Sequence, residues 1–479
     1  MIIAVDVGTS SIKAGLVNEN GVVVRDAVLD IPMIMSSSSS AEHDLRSIWD
    51  MVLQSIKTVS RGFENKVEAI ALSVYLHGLA VLDGRFNILT NVMTHLDRRC
   101  APKQIFLEKW GRDLYERTGC PPTFVLPLCK IIWLKEAGTI RPSVKLSFVK
   151  DYIIYRLSKI HAVDPGIASG TGLLNIHTLK WDSFALQLAE IDDSYLPELV
   201  EDSKVLEYVS LPEIGLTKVA LVPGGFDGAL QNVGYGVFER QAILSLGSTA
   251  VVRAITRDVV LDRSDEMRFF SYYAAEGYRV VGGASNNGMV VIDWLKKILG
   301  TLKIDVGGNP ACSEGVYALP FIGGERYPFR DPNLSLTITG LRLEHTVSHI
   351  VKGIVEGIGF VLSYIVRAIE ENGKTIDAMH CAGGGCLQPD MVRLISNVIG
   401  KPIAIHKNPR NAVVLGASVL ALKALGYIKS IAHAYTESSA VEQMVLPEED
   451  LSQKYAECLR EFIELVVTMR RLGRRDSLR

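Results

Sequence analysis

The chain lacks an excess of charge of either sign, because 51 Lys and Arg residues balance 53 Asp and Glu residues. Nucleic acids and anionic membranes attract basic surfaces, so this balance predicts neither as a partner. Long uninterrupted apolar runs are also missing. The stretches Ile354–Ile369 and Ala412–Leu422 are broken by charged residues or glycine, whereas a membrane span needs about 18 or more apolar residues. Both stretches are therefore predicted to be buried helices.

Cysteine is scarce, and its seven copies are scattered without metal-like spacing. Cys381 and Cys386 flank a glycine run and are predicted to line a packed turn. The opening residues Met1–Asp6 indicate a first strand and not a secretory signal. Together these features predict a protein of the reducing cytoplasm.

Two common nucleotide-binding signatures are absent from the sequence. No Gly-x-x-x-x-Gly-Lys-Ser/Thr phosphate loop occurs, and no Gly-x-Gly-x-x-Gly follows a strand. These absences exclude a P-loop enzyme and argue against a dinucleotide-binding domain.

The sequence divides into two similar halves. A length of 479 residues fits two domains of roughly 200–250 residues each. Residues 1–18 and Gln241–Ile255 both predict a strand, a small-residue turn and a returning strand. Because strands alternate with helices in both halves, the fold class is predicted as α/β. The boundary is predicted near Gly236–Arg240, which gives domains of residues 1–237 and 238–479.

The first hairpin carries the pattern Asp6-x-Gly8-Thr9-Ser10-x-x-Lys13. Gly8 allows a tight turn whose backbone amides can point at one anion, and Thr9 and Ser10 add hydroxyl donors. Lys13 supplies a positive charge for a phosphate. Asp6 ends a buried strand and can hold Mg²⁺ through water. An ordinary glycine-containing hairpin is the alternative interpretation.

The second hairpin turns at Gly247, Ser248 and Thr249. Small-residue turns are common, and the recurrence of this one at the equivalent place in the second half gives it weight. Two facing hairpins would clamp a polyphosphate from both sides.

Asp227 stands among glycines in Pro223–Gly228, directly after the apolar run Val219–Val222. A carboxylate at a strand end suits a general base that accepts the proton of a hydroxyl as a phosphoryl group arrives. The alternative is an N-cap for a helix that starts near Ala229.

Two further glycine-rich segments precede predicted helices. Gly282–Gly288 comes before Val290–Leu299, and Gly383–Gly385 comes before helical spacing that starts at Met391. Small residues at these positions would let a flat ring approach the backbone. A plain loop leading into a helix remains the alternative for both.

Taken together and in this order, the motifs resemble those of the FGGY carbohydrate kinases over nearly the whole chain. The segment Phe321–Pro328 resembles the Gly-Glu-Arg-x-Pro segment of that family. The resemblance implies two ribonuclease-H-like (actin-like ATPase) domains with a central cleft. It also implies ATP and Mg²⁺ as cofactors, with the sugar mainly on the first domain and the nucleotide mainly on the second.

The resemblance also assigns individual residues. It implies that Thr9 and Ser10 lie at the phosphates and that Asp227 is the catalytic base, near a metal held opposite Asp6. The nucleotide positions that it implies, with those of the two hairpins, are Gly8, Thr9, Ser10, Lys13, Gly247, Ser248, Thr249, Gly288, Gly384 and Gln388. The substrate positions that it implies are His77, Gly78, Asp97 and Asp227.

The sugar segments favour gluconate as the acceptor. Leu76-His77-Gly78 resembles the Met-His-Gly of xylulose and gluconate kinases, and Thr94–Arg99 resembles the Trp-Ala-Asp-Arg-Arg type of gluconate kinases. Arg98 and Arg99 are the nearest cations in sequence for a sugar-acid carboxylate. The chain departs from the family pattern at Leu76, at His95-Leu96 and at Asn411, so the exact sugar stays open.

The predicted function is therefore phosphorylation of a small sugar or sugar acid, with gluconate converted to 6-phosphogluconate. Xylulose or another pentulose is the alternative acceptor. A more remote alternative is an actin-like ATPase without a sugar substrate, and the sugar segments argue against it. Intact Asp6, Lys13 and Asp227 argue against an inactive regulator. A homodimer is left open as an assembly.

Overall fold

A computed structural model describes residues 1–300, 306, 311–407, 411–434 and 440–476. The first half contains fourteen strands and eight helices. Its strands are β1 Ile2–Val7, β2 Ser11–Val17, β3 Val23–Asp30, β4 Glu42–His43, β5 Ala69–Val74, β6 Ala80–Leu82, β7 Val92–Met93, β8 Lys145–Ser147, β9 Ala162–Val163, β10 Leu174–Asn175, β11 Lys180–Trp181, β12 Glu198–Leu199, β13 Glu207–Leu211 and β14 Leu216–Phe226. Its helices are α1 Leu45–Ser60, α2 Pro102–Glu108, α3 Gly111–Thr118, α4 Pro127–Glu136, α5 Lys150–Ser158, α6 Pro165–Ser169, α7 Ser183–Ala189 and α8 Asp227–Tyr235.

The second half repeats the alternation of strands and helices. Its strands among the described residues are β15 Gln241–Leu246, β16 Ala250–Thr256, β17 Phe270–Tyr273, β18 Arg279–Ser285, β19 Tyr317–Pro320, β20 Leu336–Thr339, β21 Ala378–Ala382, β22 Ile403–His406 and β23 Val441–Val445. Its helices within the same ranges are α9 Met289–Leu299, α10 Val347–Glu371, α11 Pro389–Ile399, α12 Ala412–Ala424 and α13 Glu449–Asp476.

Each half is built on one large twisted sheet whose centre is the predicted hairpin. The first sheet has the order β13-β14-β5-β1-β2-β3, and the second has the order β17-β18-β16-β15-β21-β22-β23. In the first sheet β1 is antiparallel to β2 and parallel to β5. In the second sheet β15 is likewise antiparallel to β16 and parallel to β21. The prediction that both halves open alike is therefore confirmed at the level of strand pairing.

The buried strands explain why these hairpins form rigid platforms. All six residues of β1 are buried, as expected for a strand covered on both faces. Helix α1 covers one face with the apolar positions that the sequence spacing predicted, including Ile48, Val52 and Ile56. The side chain of Asp44 caps this helix by accepting a hydrogen bond from the backbone N–H of Arg46.

Helix α12 belongs to the second half of the sequence but packs into the core of the first. Its buried residues join the same apolar cluster as strands β1, β2 and β5 and helix α8. The crossing with α8 is close, because a Cβ on Gly234 would lie 1.9 Å from the carbonyl oxygen of Ala412. A Cβ on Gly416 would lie 2.0 Å from the carbonyl oxygen of Leu230. Glycine is required on both helices for this contact.

Helix α10 is long and apolar enough to cross a membrane by length and composition alone, and 89% of its most apolar window is buried inside the protein. Its interior carboxylate, Glu356, accepts hydrogen bonds from the hydroxyls of Ser313 and Tyr455, each at 2.8 Å. A buried carboxylate satisfied by protein donors belongs to a packed core. The prediction of a buried helix over Ile354–Ile369 is confirmed.

Four of the seven cysteines are paired in disulfides, so the expectation of reduced thiols that the scattered spacing gave is wrong for these four. Cys312 is bonded to Cys458, 146 residues further along the chain. Cys381 is bonded to Cys386 across the glycine run that separates them. The remaining Cys100, Cys120 and Cys129 are buried and free. The tertiary fold brings the distant pair together, and no local sequence signal reports such a contact.

The α8–α12 crossing generates a prediction about stability. Gly234→Ala should lower the midpoint of thermal unfolding by roughly 6–12 °C, because overpacking of about 3 kcal/mol is spread over a large domain. Differential scanning fluorimetry of the purified variant measures this shift. Gly384→Ala is the matched control, since a Cβ there meets nothing within 4 Å. Equal melting of the two variants would contradict the close crossing.

Candidate active site

The first predicted hairpin forms a tight turn between β1 and β2. The N–H of Gly8 donates to the carbonyl oxygen of Ser11 at 3.0 Å. Asp6 lies opposite Lys13 in the strand register, and one of its oxygens accepts a 2.8 Å hydrogen bond from the hydroxyl of Ser73. The turn therefore holds a buried carboxylate and a lysine close to the hydroxyls that follow Gly8.

The second hairpin is fixed by the start of α9. The N–H groups of Gly288 and Met289 donate to the carbonyl oxygens of Ser248 and Gly247, at 3.1 and 2.8 Å. A Cβ on Gly288 would lie 2.5 Å from the carbonyl carbon of Thr249. Gly288 thus lets helix α9 pack directly on the turn, which leaves the hydroxyls of Ser248 and Thr249 facing the cavity described below.

Asp227 is the first residue of α8, and Phe226 occupies the N-cap position. Asp227 therefore does not occupy the N-cap position that the alternative interpretation gave it; among the described residues, its carboxylate accepts a hydrogen bond from the N–H of the adjacent Gly228, at 2.7 Å. Burial raises the pKa of Asp227 above its ordinary value, and the charge of Arg253 opposes that shift. A carboxylate of raised pKa is better matched to proton transfer near neutral pH.

A buried ion pair anchors the strand end that precedes Asp227. The ammonium group of Lys150 donates to Asp164 at 2.6 Å and to the carbonyl oxygen of Gly225 at 2.7 Å. Both side chains are fully buried. Removing either partner would leave an uncompensated charge in the core, so this pair is a strong constraint on where Asp227 lies.

The two hairpins and Asp227 meet at one cavity of about 630 Å³ between the halves. Six of the sequence-predicted site residues line it: Thr9, Ser10, His77, Asp227, Ser248 and Thr249. Residues without a predicted role also line it, among them Tyr75, His95, Arg253, Phe270, Tyr272, Arg326 and Tyr327. Another cavity of about 660 Å³, around Asp202 and Lys423, contains none of the predicted site residues.

His77 is held in one orientation by its backbone and its ring. Its φ of 71° lies in the left-handed region, and its Nδ1 lies 2.9 Å from the carbonyl oxygen of Gly170. A carbonyl only accepts, so Nδ1 carries the proton, and Nε2 is the acceptor that remains for a ligand. Burial and the nearby charge of Arg326 lower the pKa of His77 to about 3, which keeps the ring neutral.

A buried lysine supports the segments around His77. The ammonium group of Lys130 donates to the carbonyl oxygens of His77, Met93 and Thr94. Burial lowers the pKa of Lys130 to about 8. The three bonds fix the backbone on one side of the cavity.

Other predicted substrate residues do not line this cavity. Asp97 is fully buried and accepts hydrogen bonds from the backbone N–H of Ala41, at 3.1 Å, and from the side chain of Arg99. Gly78 packs against Val149 and Tyr75. These two positions therefore lie behind the cavity wall and do not border the cavity.

The sequence-based choice of Arg98 and Arg99 as cations for the acceptor is corrected by the structure. The guanidinium of Arg99 is paired with Asp97 and Glu42. Arg98 donates to the carbonyl oxygen of Pro332 at 3.1 Å. The arginines that line the cavity are Arg253 and Arg326, which come from the second half of the chain.

Two predicted nucleotide residues lie at a separate cavity. Lys13 and Gly384 line a space of about 430 Å³ together with Gln231 and Asn411. A Cβ on Gly384 would meet nothing within 4 Å, so its backbone borders open space. Gln388 is exposed at the start of α11, and its side chain makes no hydrogen bond within the part of the chain that the structure describes.

The carboxylates of Asp6 and Asp227 fit a magnesium ion. Burial raises the pKa of Asp6 to about 7, and repulsion from Asp227 adds to the shift. Like charges that raise each other's pKa are relieved by a cation, and carboxylate oxygens are ligands that Mg²⁺ prefers. Asp6 and Asp227 would hold the ion, and a bound Mg²⁺ would neutralise charge that develops on a phosphoryl group.

Sequence reasoning missed most of the second half's contribution to this cavity. Arg326 lies in the segment Phe321–Pro328, whose motif was recognised without a role for the arginine. Tyr272 lies on a strand that carried no motif, and Arg253 lies on the returning strand of the second hairpin, where no role was predicted for it. Their place in the cavity depends on how the two halves face each other, which spacing along the chain does not report.

Comparisons with known proteins give matches over most of the chain. The profile of the N-terminal domain of the FGGY family of carbohydrate kinases matches residues 1–234, and that of the C-terminal domain matches residues 242–425. The chain is 27% identical to the gluconokinase of Bacillus subtilis (strain 168), over 97% of this chain and 95% of that protein.

Two solved structures resemble the whole fold. The gluconate kinase from Lactobacillus acidophilus aligns with a TM-score of 0.90 at 26% identity, covering 98% of both chains. The ligand-bound xylulose kinase from Lactobacillus acidophilus aligns with a TM-score of 0.89 at 26% identity, also over 98% of both chains. The predicted α/β class with two actin-like domains and a central cleft is confirmed.

The position of Asp227 generates a kinetic prediction. Asp227→Asn keeps the size of the side chain but removes the basic carboxylate, so kcat should fall by about 10²–10⁴-fold. The affinity for ATP, measured by titration calorimetry, should change little. Asp192→Asn is the matched control, because Asp192 caps the exposed turn Asp193–Tyr195 away from the cavity. Near-wild-type turnover of folded Asp227→Asn would remove this carboxylate from the chemistry.

Proposed function

Because the chain belongs to the FGGY family of carbohydrate kinases, and is thus a phosphotransferase that uses ATP, we propose that its acceptor is gluconate. The product would be 6-phosphogluconate. The observation that carries this proposal is the charge of the shared cavity, where Arg253 and Arg326 accompany the base Asp227. Two guanidinium groups suit an acceptor that is itself an anion. The similarity to a gluconokinase and to a gluconate kinase supports the same choice.

Different residues of this chain bind the phosphates and accept the proton of the acceptor hydroxyl. ATP supplies the phosphoryl group. The hydroxyls of Thr9, Ser10, Ser248 and Thr249 donate to phosphate oxygens from the two facing hairpins. Asp227 accepts the proton of the attacking hydroxyl at its carboxylate oxygen. Since the base and both hairpins border one cavity, positioning is the main contribution of the protein.

The nucleotide and metal positions complete the proposal. Lys13 and Gly384 border the neighbouring space where the rest of the nucleotide would lie, with Gly8, Gly247, Gly288 and Gln388 shaping the adjoining turns. Asp6, together with Asp227, would hold Mg²⁺. We place the activity in the cytoplasm, where ATP is available.

A pentulose such as xylulose is the second candidate acceptor. It is favoured by the neutral ring of His77, whose free Nε2 accepts from a hydroxyl, and by the buried phenols of Tyr272 and Tyr327 in the same cavity. These groups recognise hydroxyls without regard to a carboxylate. The similarity to the ligand-bound xylulose kinase supports this alternative.

A direct comparison of acceptors tests the proposal. With saturating Mg²⁺ and ATP, kcat/KM for gluconate should exceed that for xylulose, ribulose and glycerol by at least about tenfold, the factor that 1.4 kcal/mol of transition-state binding gives. A coupled assay of ADP release measures all four. A higher kcat/KM for xylulose would replace gluconate with the pentulose. ADP release that is independent of any acceptor would instead favour an ATPase without a sugar substrate.

The orientation of His77 allows a paired test of acceptor recognition. His77→Asn can keep the bond from the Nδ1 position to Gly170 but removes Nε2, so the KM for the acceptor should rise about 5- to 100-fold, as for a lost hydrogen bond to a polar ligand. His77→Gln places a polar atom near the Nε2 position and should retain more of the affinity. The KM for ATP should stay unchanged in both variants. An acceptor KM that is unaffected in His77→Asn would remove the ring from the acceptor site.

A further inference from the structure

The guanidinium of Arg326 is buried without a hydrogen-bonded side-chain partner among the described residues, although the charges of Glu325 and Asp227 act on it. Arg326 is only 7% exposed, and its Nε is buried without a hydrogen-bond partner. Among the residues that the structure describes, no side-chain hydrogen bond or ion pair to this guanidinium occurs. The neighbouring Glu325 does not supply one, because its carboxylate accepts from the hydroxyl of Ser285 and from the side chain of Asn287.

The other arginine of the cavity is different. The Nη1 of Arg253 donates to the side-chain oxygen of Gln231 at 2.9 Å, and its Nε packs over Gly228. Arg253 is therefore partly satisfied by protein, with its charge next to Asp227. Arg326 alone presents an unused set of donors to the cavity.

Arg326 lines the same cavity as His77, His95 and Tyr272. Its positive charge helps to lower the pKa values of His77 and His95. We assign these residues to the acceptor and the hydroxyls of the two hairpins, which line the same cavity, to the phosphates.

We propose that Arg326 is the subsite for the carboxylate of a sugar acid, bound through parallel N–H···O bonds of the guanidinium. This inference rests on the proposed function, since gluconate carries such a carboxylate. A planar guanidinium matches a carboxylate bidentately, which a lysine would not do. The carboxylate end of the acceptor then contacts Arg326, while the hydroxyl at its other end reaches Asp227.

The physical reason lies in the state of the free protein. Burying a charge without a partner costs stability, and burial lowers the pKa of Arg326 below its ordinary value. An arriving carboxylate adds a directly bonded counter-charge and accepts hydrogen bonds from donors that the described residues leave without a partner. Binding of a carboxylate thereby offsets the loss of stability in the free protein, whereas binding of a neutral ketose would not.

The test compares Arg326→Met and Arg326→Lys with the wild-type protein. For Arg326→Met, the KM for gluconate should rise at least about 30-fold, as for truncation of a buried charge pair. The kcat/KM for xylulose should change less than about threefold, within the range of small contact changes. Arg326→Lys should restore part of the gluconate affinity and not all of it. Titration calorimetry with gluconate in the absence of nucleotide should show the same loss of affinity.

A thermal readout separates ligand binding from a structural role. Free Arg326→Met should melt at a higher temperature than the wild-type protein, because it no longer buries an unpaired charge. Added gluconate should raise the melting temperature of the wild-type protein and not that of the variant. Arg98→Met is the matched control, since Arg98 contacts Pro332 outside the cavity, and its gluconate KM should stay at the wild-type value.

Other results of these measurements would overturn the Arg326 subsite or change the acceptor assigned to it. An equal fall of kcat with every acceptor in Arg326→Met would assign the guanidinium to the phosphoryl group and overturn the subsite. An unchanged gluconate KM would overturn it as well. If the wild-type protein binds a five-carbon aldonate but not gluconate, with the same dependence on Arg326, the subsite holds and gluconate is replaced as the acceptor. If it binds no sugar acid, both proposals fail.

Discussion

The close crossing of helices α8 and α12 is the contact on which the geometry of the cleft depends. Two glycines, Gly234 and Gly416, let the backbones touch without intervening side chains. Helix α8 begins at Asp227, and α12 comes from the far end of the second half. The position of Asp227 is therefore set by both halves at once, because the two helix backbones are in direct contact at Gly234 and Gly416. The buried pair of Lys150 and Asp164 fixes the same point from the other side of the strand end.

The cleft concentrates groups that are costly to bury. Asp6 and Asp227 repel each other, and the buried Nε of Arg326 has no hydrogen-bond partner in the described structure. Such an arrangement suits a site whose ligands supply the missing interactions. A ligand that neutralises these charges binds more tightly here than to a site whose charged groups already have partners. The structure around the cleft offsets the loss of stability that these buried charges cause. Strands β1, β5 and β18 are buried along their whole length, and Lys130 fixes one wall of the cavity through three backbone carbonyls.

Local features of the fold were predictable from the sequence, whereas contacts between distant segments were not. Both hairpins, the helix after Gly282–Gly288 and the strand before Gly383 follow from glycine placement and apolar period, and each is present. The convergence of Thr9 and Thr249 on one cavity followed from the repeated opening of the halves. The burial of Asp97 against Arg99 could not be predicted, because a carboxylate next to an arginine in the sequence is equally consistent with a ligand site. The position of Arg326 could not be predicted either, because it depends on how the two domains face each other.

The membership of α12 in the first core also has a consequence for synthesis on the ribosome. The last strand of the first sheet ends at Phe226, but the helix that covers one face of that sheet ends at Ala424. At about 5–20 residues per second, the nascent first domain waits roughly 10–40 s with this apolar face uncovered. We therefore expect the amino-terminal half to complete its core only after α12 has been synthesised.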